Sequence, residues 1–218
     1  MDNYHIATDR FALRLTYFIC SLFGAAYGIT FIFKAGIGVD PANVLIDGLF
    51  NTFGISLGFW ITSLWLFFVV SAFLMGLKPY IATVLDLVFF GVIVDALMIF
   101  NRVPLPEAFG AQGIWVSAIY MFVGLLILAF SVGVYINAQL GAGPTMLFTF
   151  ALARKMRRSI GLVKTATDIV MLVIGFLLGG AVGAGTVVLA LSLGYLFEFF
   201  IKKIRLPGLG ARIIRQKV

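Results

Sequence analysis

The chain has 218 residues, 62% of them hydrophobic and only 11% charged, with a mean hydropathy of +1.11. A soluble globular domain is nearer half apolar and a quarter charged, so the composition excludes one and describes an all-α, polytopic membrane protein with little outside the bilayer. Net charge is +7, but the basic residues gather at the edges of apolar runs, where topology and anionic lipid explain them better than nucleic acid does.

A bilayer core of about 30 Å takes roughly 20 apolar residues per helix, which leaves room for about six spans in one transmembrane domain, residues 1–218. Met1 to Arg10 is a polar arm holding His5, a solvated tail residue. Phe11 to Phe33 is the first span, too long for a signal-peptide core and read as uncleaved. It carries Cys20, the one cysteine, so an intramolecular disulfide and a cysteine zinc site are excluded. Gly24 and Gly28 in this span form a GxxxG surface for a neighbouring helix.

A glycine-rich break follows, Lys34-Ala35-Gly36-Ile37-Gly38-Val39-Asp40-Pro41, then a short helix to Phe53. Asp40 stands at its N-cap and Pro41 at its first helical position. Ile55 to Leu77 is the second span, and Lys78-Pro79 turns the chain. Tyr80 to Phe100 is the third span, carrying Asp86 and Asp95. Nine residues apart, these two face different ways on an ideal helix. Asn101 to Gln112, with Arg102, Pro104, Pro106 and Glu107, is the central loop.

Gly113 to Ile136 is the fourth span, followed by a second break, Asn137-Ala138-Gln139-Leu140-Gly141-Ala142-Gly143-Pro144. Its short helix ends in Arg154-Lys155-Met156-Arg157-Arg158. Ile160 to Gly179 is the fifth span, with Lys164 and Asp168 one turn apart, and Val182 to Ile201 is the sixth. Residues 204–218 form a basic tail with Arg205, Arg212, Arg215 and Lys217, directly after Lys202 and Lys203.

The two halves, about 11–100 and 113–203, align without a gap at an offset of 103 residues. Identities include Gly38/Gly141, Pro41/Pro144, Ser56/Ser159, Gly58/Gly161, Thr62/Thr165, Thr83/Thr186 and Gly91/Gly194, with Asp95 against Glu198. Two unrelated apolar segments share Leu and Val by chance, but not Gly, Pro, Ser and Thr in phase over such a run. The chain is an internal duplication.

With three spans per half, Arg10, Arg14, Lys78, the Arg154 to Arg158 cluster and the tail fall on one side, and only Lys34 and Arg102 on the other. The positive-inside rule makes the rich side cytoplasmic, with both termini inside. An odd span count per half inverts the repeats. A rival count with the short helices crossing moves Lys78 to the outside, but about a dozen residues with Asp47 among them are too few for roughly 30 Å.

Inverted repeats with broken helices are a common plan of secondary transporters, with the site near the midplane. Gly36, Gly38, Asp40 and Pro41 build one inward helix start, and Gly141, Gly143 and Pro144 the other, if the short helices are re-entrant; amphipathic helices lying flat at the interface are the competing reading. Asp168 sits near the middle of its span, where a carboxylate costs at least about 2.5 kcal/mol and so faces the bundle interior. Lys164 is its i,i+4 partner, for a relay or for a structural pair. Asp95 and Glu198 read as anchors to neighbouring cations, and Thr83 and Thr186 as cross-helix hydrogen-bonders or path residues. No HExxH, Walker loop or serine elbow is present, which points away from an enzyme.

The phrases K-A-G-I-G-V-D-P and N-A-Q-L-G-A-G-P resemble the L-G-x-G-P element of YczE/YitT-type bacterial integral membrane proteins. Ser159 to Asp168 and the later Gly183 to Thr186 are similar to that family's C-terminal half, and the likeness runs from about Phe11 to Lys203. The first copy departs from the pattern with Val39-Asp40, where the second keeps Ala142-Gly143. The resemblance implies a bacterial cytoplasmic-membrane location and supplies no settled activity.

The expected function is therefore transport of a small solute or ion by alternating access around Gly36, Gly38, Asp40, Pro41, Asp86, Gly141, Gly143, Pro144, Lys164 and Asp168. The alternative is a membrane scaffold or regulator acting through a partner. No cofactor or metal is expected. The expected partners are the bilayer, with anionic lipid at the cytoplasmic face, and an unidentified solute, while homo-oligomer formation is left open.

Overall fold

The computed structural model describes residues 9–100 and 113–209. His5, Arg102, Pro104, Pro106, Glu107, Arg212, Arg215 and Lys217 lie outside the described residues. Apolar runs in lipid must satisfy their own backbone, and every regular element among the described residues is a helix. The first half holds α1 (Phe11–Ala35), α2 (Pro41–Phe53) and α3 (Leu57–Leu74). Its last span is built in three pieces, α4 (Ile81–Leu85), a π-helical turn (Asp86–Phe90) and α5 (Gly91–Phe100). The second half holds α6 (Ile114–Ala138), α7 (Pro144–Met156), α8 (Ile160–Leu177) and α9 (Ala184–Lys203). Among the described residues, six helical segments, the composite third span included, are long and apolar enough to cross a membrane. At 13 residues each, α2 and α7 are too short.

Each outer boundary of the second half falls 103 residues after its counterpart in the first. The same local chemistry stops and starts the chain in both copies. Gly36 and its mate Gln139 take left-handed conformations that end α1 and α6, at φ 66° and 57°. Pro41 and Pro144 open the short helices. The Ser56 hydroxyl accepts from the Phe59 N–H at 3.2 Å, and the Ser159 hydroxyl from the Leu162 N–H at 3.3 Å, so both middle spans start on the same cap.

The mates α1 and α6 pack along each other and run antiparallel. Arg14, near the start of α1, reaches Ala138 at the end of α6. Farther along, Gly24 lies against Ser131, and Gly28 against Gly124 and Leu128. A Cβ on Gly28 would stand 2.7 Å from the Leu128 backbone nitrogen, so this GxxxG face is used as read. Phe18, Leu22, Ala26, Ile29 and Ile32 of α1 are buried there with Leu125 and Met121 of α6.

Each short helix packs on the middle span of the other half. Gly48 of α2 lies against Gly175 and Leu178 of α8, and Asn51 and Thr52 donate to the carbonyls of Gly179 and Leu178, both at 3.0 Å. On the other side Phe148 of α7 stacks on Phe68 of α3 at 4.7 Å, and Ala151 packs with Ala72. Both short helices thus lie along the C-terminal turns of a span. The last spans pack on the first spans of their own halves, α5 on α1 and α9 on α6. One relation is not shared: α3 packs on α5, while α8 has no comparable contact with α9.

Candidate functional site

The two glycine-rich breaks sit against the starts of the last spans, each in the opposite half. The Gly185 N–H donates to the Ile37 carbonyl at 2.8 Å, and its mate, the Ala82 N–H, donates to Leu140 at 3.3 Å. These are the same bond made twice. Gly38 and Gly141 allow the approach, with φ 116° and 129°. A Cβ on Gly38 would stand 2.6 Å from the Thr186 hydroxyl, and one on Gly141 2.7 Å from Tyr80 Cβ. No other residue type has both the conformation and the room.

At the start of α2, Asp40 occupies the N-cap position, and its carboxyl is turned to Asn43, the third residue of the helix. Its Oδ1 accepts from Asn43 Nδ2. Lys164 and Asp168 of α8 are close enough for their charges to act on Asp40. They form the expected i,i+4 ion pair, with side chains 39% and 25% exposed. A carboxyl and an amide therefore sit at one helix start, with an ion pair near them, and the partial positive charge of that start favours anionic groups.

The start of α7 has Gly143 where α2 has Asp40. The missing carboxylate arrives from the other half. Asp86, in the π-helical turn, is 4% exposed, and its Oδ2 lies 3.3 Å from where a Cβ on Gly143 would be. Tyr135 donates its hydroxyl to the same oxygen at 2.8 Å. Beneath it, Thr83 donates to the Ala142 carbonyl at 2.6 Å, and the Tyr80 N–H donates to Thr83 at 3.3 Å. The Gly183 N–H repeats the latter bond to Thr186.

The predicted residues thus divide into two groups. Gly36, Gly38, Asp40, Pro41, Lys164 and Asp168 belong to the α2 start, and Asp86, Gly141, Gly143 and Pro144 to the α7 start. Among the described residues, no three His, Cys, Asp or Glu side chains come together as metal ligands would.

Two expectations are corrected. The third span is not a plain α-helix, because the wider π turn begins at Asp86 and changes the phase between Asp86 and Asp95. Among the described residues, Asp95 pairs with no cation. It accepts from the Gly58 N–H at 2.7 Å and the Ser56 hydroxyl at 2.6 Å, and so caps the start of α3. Its mate Glu198 does pair with a cation, Lys202.

Sequence reasoning took Arg14 for an edge charge. It is 3% exposed and bridges α1 to the end of α6, donating to the Ala138 carbonyl at 3.2 Å and to Gln139 Oε1 at 3.3 Å. Asp9 holds its other side. Tyr135 was missed altogether. One signal in the duplication marks these positions, a polar residue whose mate is apolar or uncharged. Asp86 faces Leu189, Tyr135 faces Ile32, Lys164 faces Ile61, Asp168 faces Trp65, Asp40 faces Gly143 and Arg14 faces Ser117.

Comparison with known proteins agrees with the architecture. The chain is 29% identical over 202 residues to an uncharacterized protein of Haemophilus influenzae, covering 89% of this chain and 86% of that one. It is 27% identical over 195 residues to the uncharacterized membrane protein YczE of Bacillus subtilis, covering 86% and 85%. The uncharacterized protein YyaS of Bacillus subtilis is 20% identical over 190 residues, covering 87% and 92%. No solved structure matches the chain. Residues 12–202 match a family of unknown function, DUF6198, and with YczE-type relatives and helices long and apolar enough to span a bilayer this chain is a membrane protein belonging to that family.

Proposed function

We propose that this protein moves a small cationic solute or ion, protons included, across the bacterial cytoplasmic membrane. It does so by alternating access between inverted repeats, without enzymatic chemistry. One observation carries the reading: each short helix starts against a carboxylate, Asp40 in one half and Asp86 in the other. A bare helix start attracts anions. Here both starts are already met by carboxyl groups, so a passing cation has an acidic partner at each. Asp40, Lys164 and Asp168 carry a formal charge of one negative unit together, and Asp86 carries another when ionised.

The antiparallel packing of α1 on α6 supports inversion. The lie of α2 and α7 along α8 and α3 supports helix starts set below the surface rather than flat on it. Arg14, the end of α7 with its basic cluster, and the end of α9 with Lys202 and Lys203 gather at one end of the bundle, which the positive-inside rule makes cytoplasmic.

A thermal-shift screen of the purified protein against alkali metal, ammonium and small amine cations tests the binding half of this reading. A ligand that binds only the folded state raises the midpoint with concentration. The expected result is a shift for at least one cation that disappears in Asp40→Asn or Asp86→Asn. A shift produced only by anions overturns the charge preference.

A further inference from the structure

The halves share helix boundaries, break contacts and short-helix packing, yet differ at one joint. In the first half α3 is docked on α5 through glycines. A Cβ on Gly58 would lie 2.0 Å from the Gly91 carbonyl oxygen, and one on Gly91 2.2 Å from the Thr62 hydroxyl. Ser56 and the Gly58 N–H then bind the Asp95 carboxylate. The second half carries the same set at mated positions, Ser159, Gly161, Thr165, Gly194 and Glu198. None of it is engaged in this way. Among the described residues, nothing lies within 4 Å of a Cβ on Gly161 or Gly194, Thr165 is exposed, and Glu198 holds Lys202.

A glycine on an unpacked helix face gives up helix propensity relative to alanine, with no packing gained in return. Both glycines stand at positions whose copies have a use. We propose that the protein has a second state in which α8 closes on α9 through Gly161, Thr165 and Gly194, while α3 and α5 part. Ser159 then donates to Glu198, which releases Lys202, and the pair Ser56–Asp95 is broken. The observed arrangement, with one half closed and the other open, is one of two related by exchanging the roles of the repeats. This rests on the transport reading and gives it its moving joint, between the middle and last span of each half.

The test is disulfide trapping in native membranes, in a Cys20→Ser background. Ser56→Cys with Asp95→Cys reports the observed joint, and Ser159→Cys with Glu198→Cys the proposed one. Each replaces side chains that bond, or would bond, directly, which is within reach of a disulfide. The expected result is an intramolecular link in both double variants. Adding Gly194→Leu abolishes the second link and spares the first, because the added side chain has room in the open joint but not in the closed one. If the first pair links and the second does not, the second state is overturned. An intermolecular link at the second pair also overturns it and gives that face to a second copy of the chain. An intramolecular second link in a protein that shows no flux for any cation keeps the moving joint and removes the transport reading instead.

Discussion

Asp86 leaves its own half to stand over the start of α7, its Oδ2 3.3 Å from where a side chain on Gly143 would begin. In the other half the corresponding helix start carries its own carboxylate, Asp40, and the mate of Asp86 is the fully buried Leu189. The two ends gain a carboxyl group by different routes.

That relation predicts a swap. Gly143→Asp alone sets two carboxylates against each other in a buried place, and the pair resists joint ionisation. The expected cost is about 1–3 kcal/mol, read as a lowered unfolding midpoint in detergent. Asp86→Leu with Gly143→Asp rebuilds the arrangement of the first half and recovers most of the loss. The two changes are therefore non-additive by about 0.5–3 kcal/mol. Additive losses in the double variant contradict the equivalence of the two ends.

The glycines separate by neighbourhood rather than by sequence context. Gly28→Ala forces a Cβ to within 2.7 Å of the Leu128 backbone and parts α1 from α6. Overpacking of this kind costs about 1–3 kcal/mol. Gly194→Ala meets nothing within 4 Å and gains helix propensity, so its midpoint is unchanged or raised. Thermal unfolding of the two variants side by side checks the contrast.

Much of this fold was legible in the chain. Apolar runs of about twenty residues mark spans because bilayer thickness demands them. Gly38, Pro41 and their counterparts Gly141 and Pro144 mark the breaks, because the backbone conformation or the helix start requires those residue types. The 103-residue offset then carries every outer boundary from one half to the other. The partnerships of Asp86, Asp95 and Arg14 were not legible. They depend on which helix lies beside which, and on a π turn that shifts the phase of one span without any glycine or proline within it. The division of the candidate residues into two groups has the same cause, since α8 reaches Asp40 only through packing between halves. The open joint between α8 and α9 was equally hidden, because the two joints carry the same residues apart from Glu198 in place of Asp95.

Arg14 supplies a test of the buried bridge between the halves. Arg14→Met keeps the volume and removes the donors to Ala138 and Gln139. Hydrogen bonds from a charged donor contribute about 1.5–3 kcal/mol, and the variant is expected to lose that much. Gln139→Ala removes only one of these acceptors and loses less. Equal midpoints for wild type and Arg14→Met would place the arginine outside the stabilising core.

The account stands on the carboxylates at the two helix starts serving a moving cation. The most direct measurement is cation-gradient-driven flux in proteoliposomes, with protons and alkali cations tested separately. Wild type is compared with Asp40→Asn, Asp86→Asn and Asp168→Asn. The account predicts flux above empty liposomes for at least one cation, and its loss by tenfold or more in each variant while the protein stays folded. Wild-type flux that persists unchanged in Asp40→Asn and Asp86→Asn would contradict it.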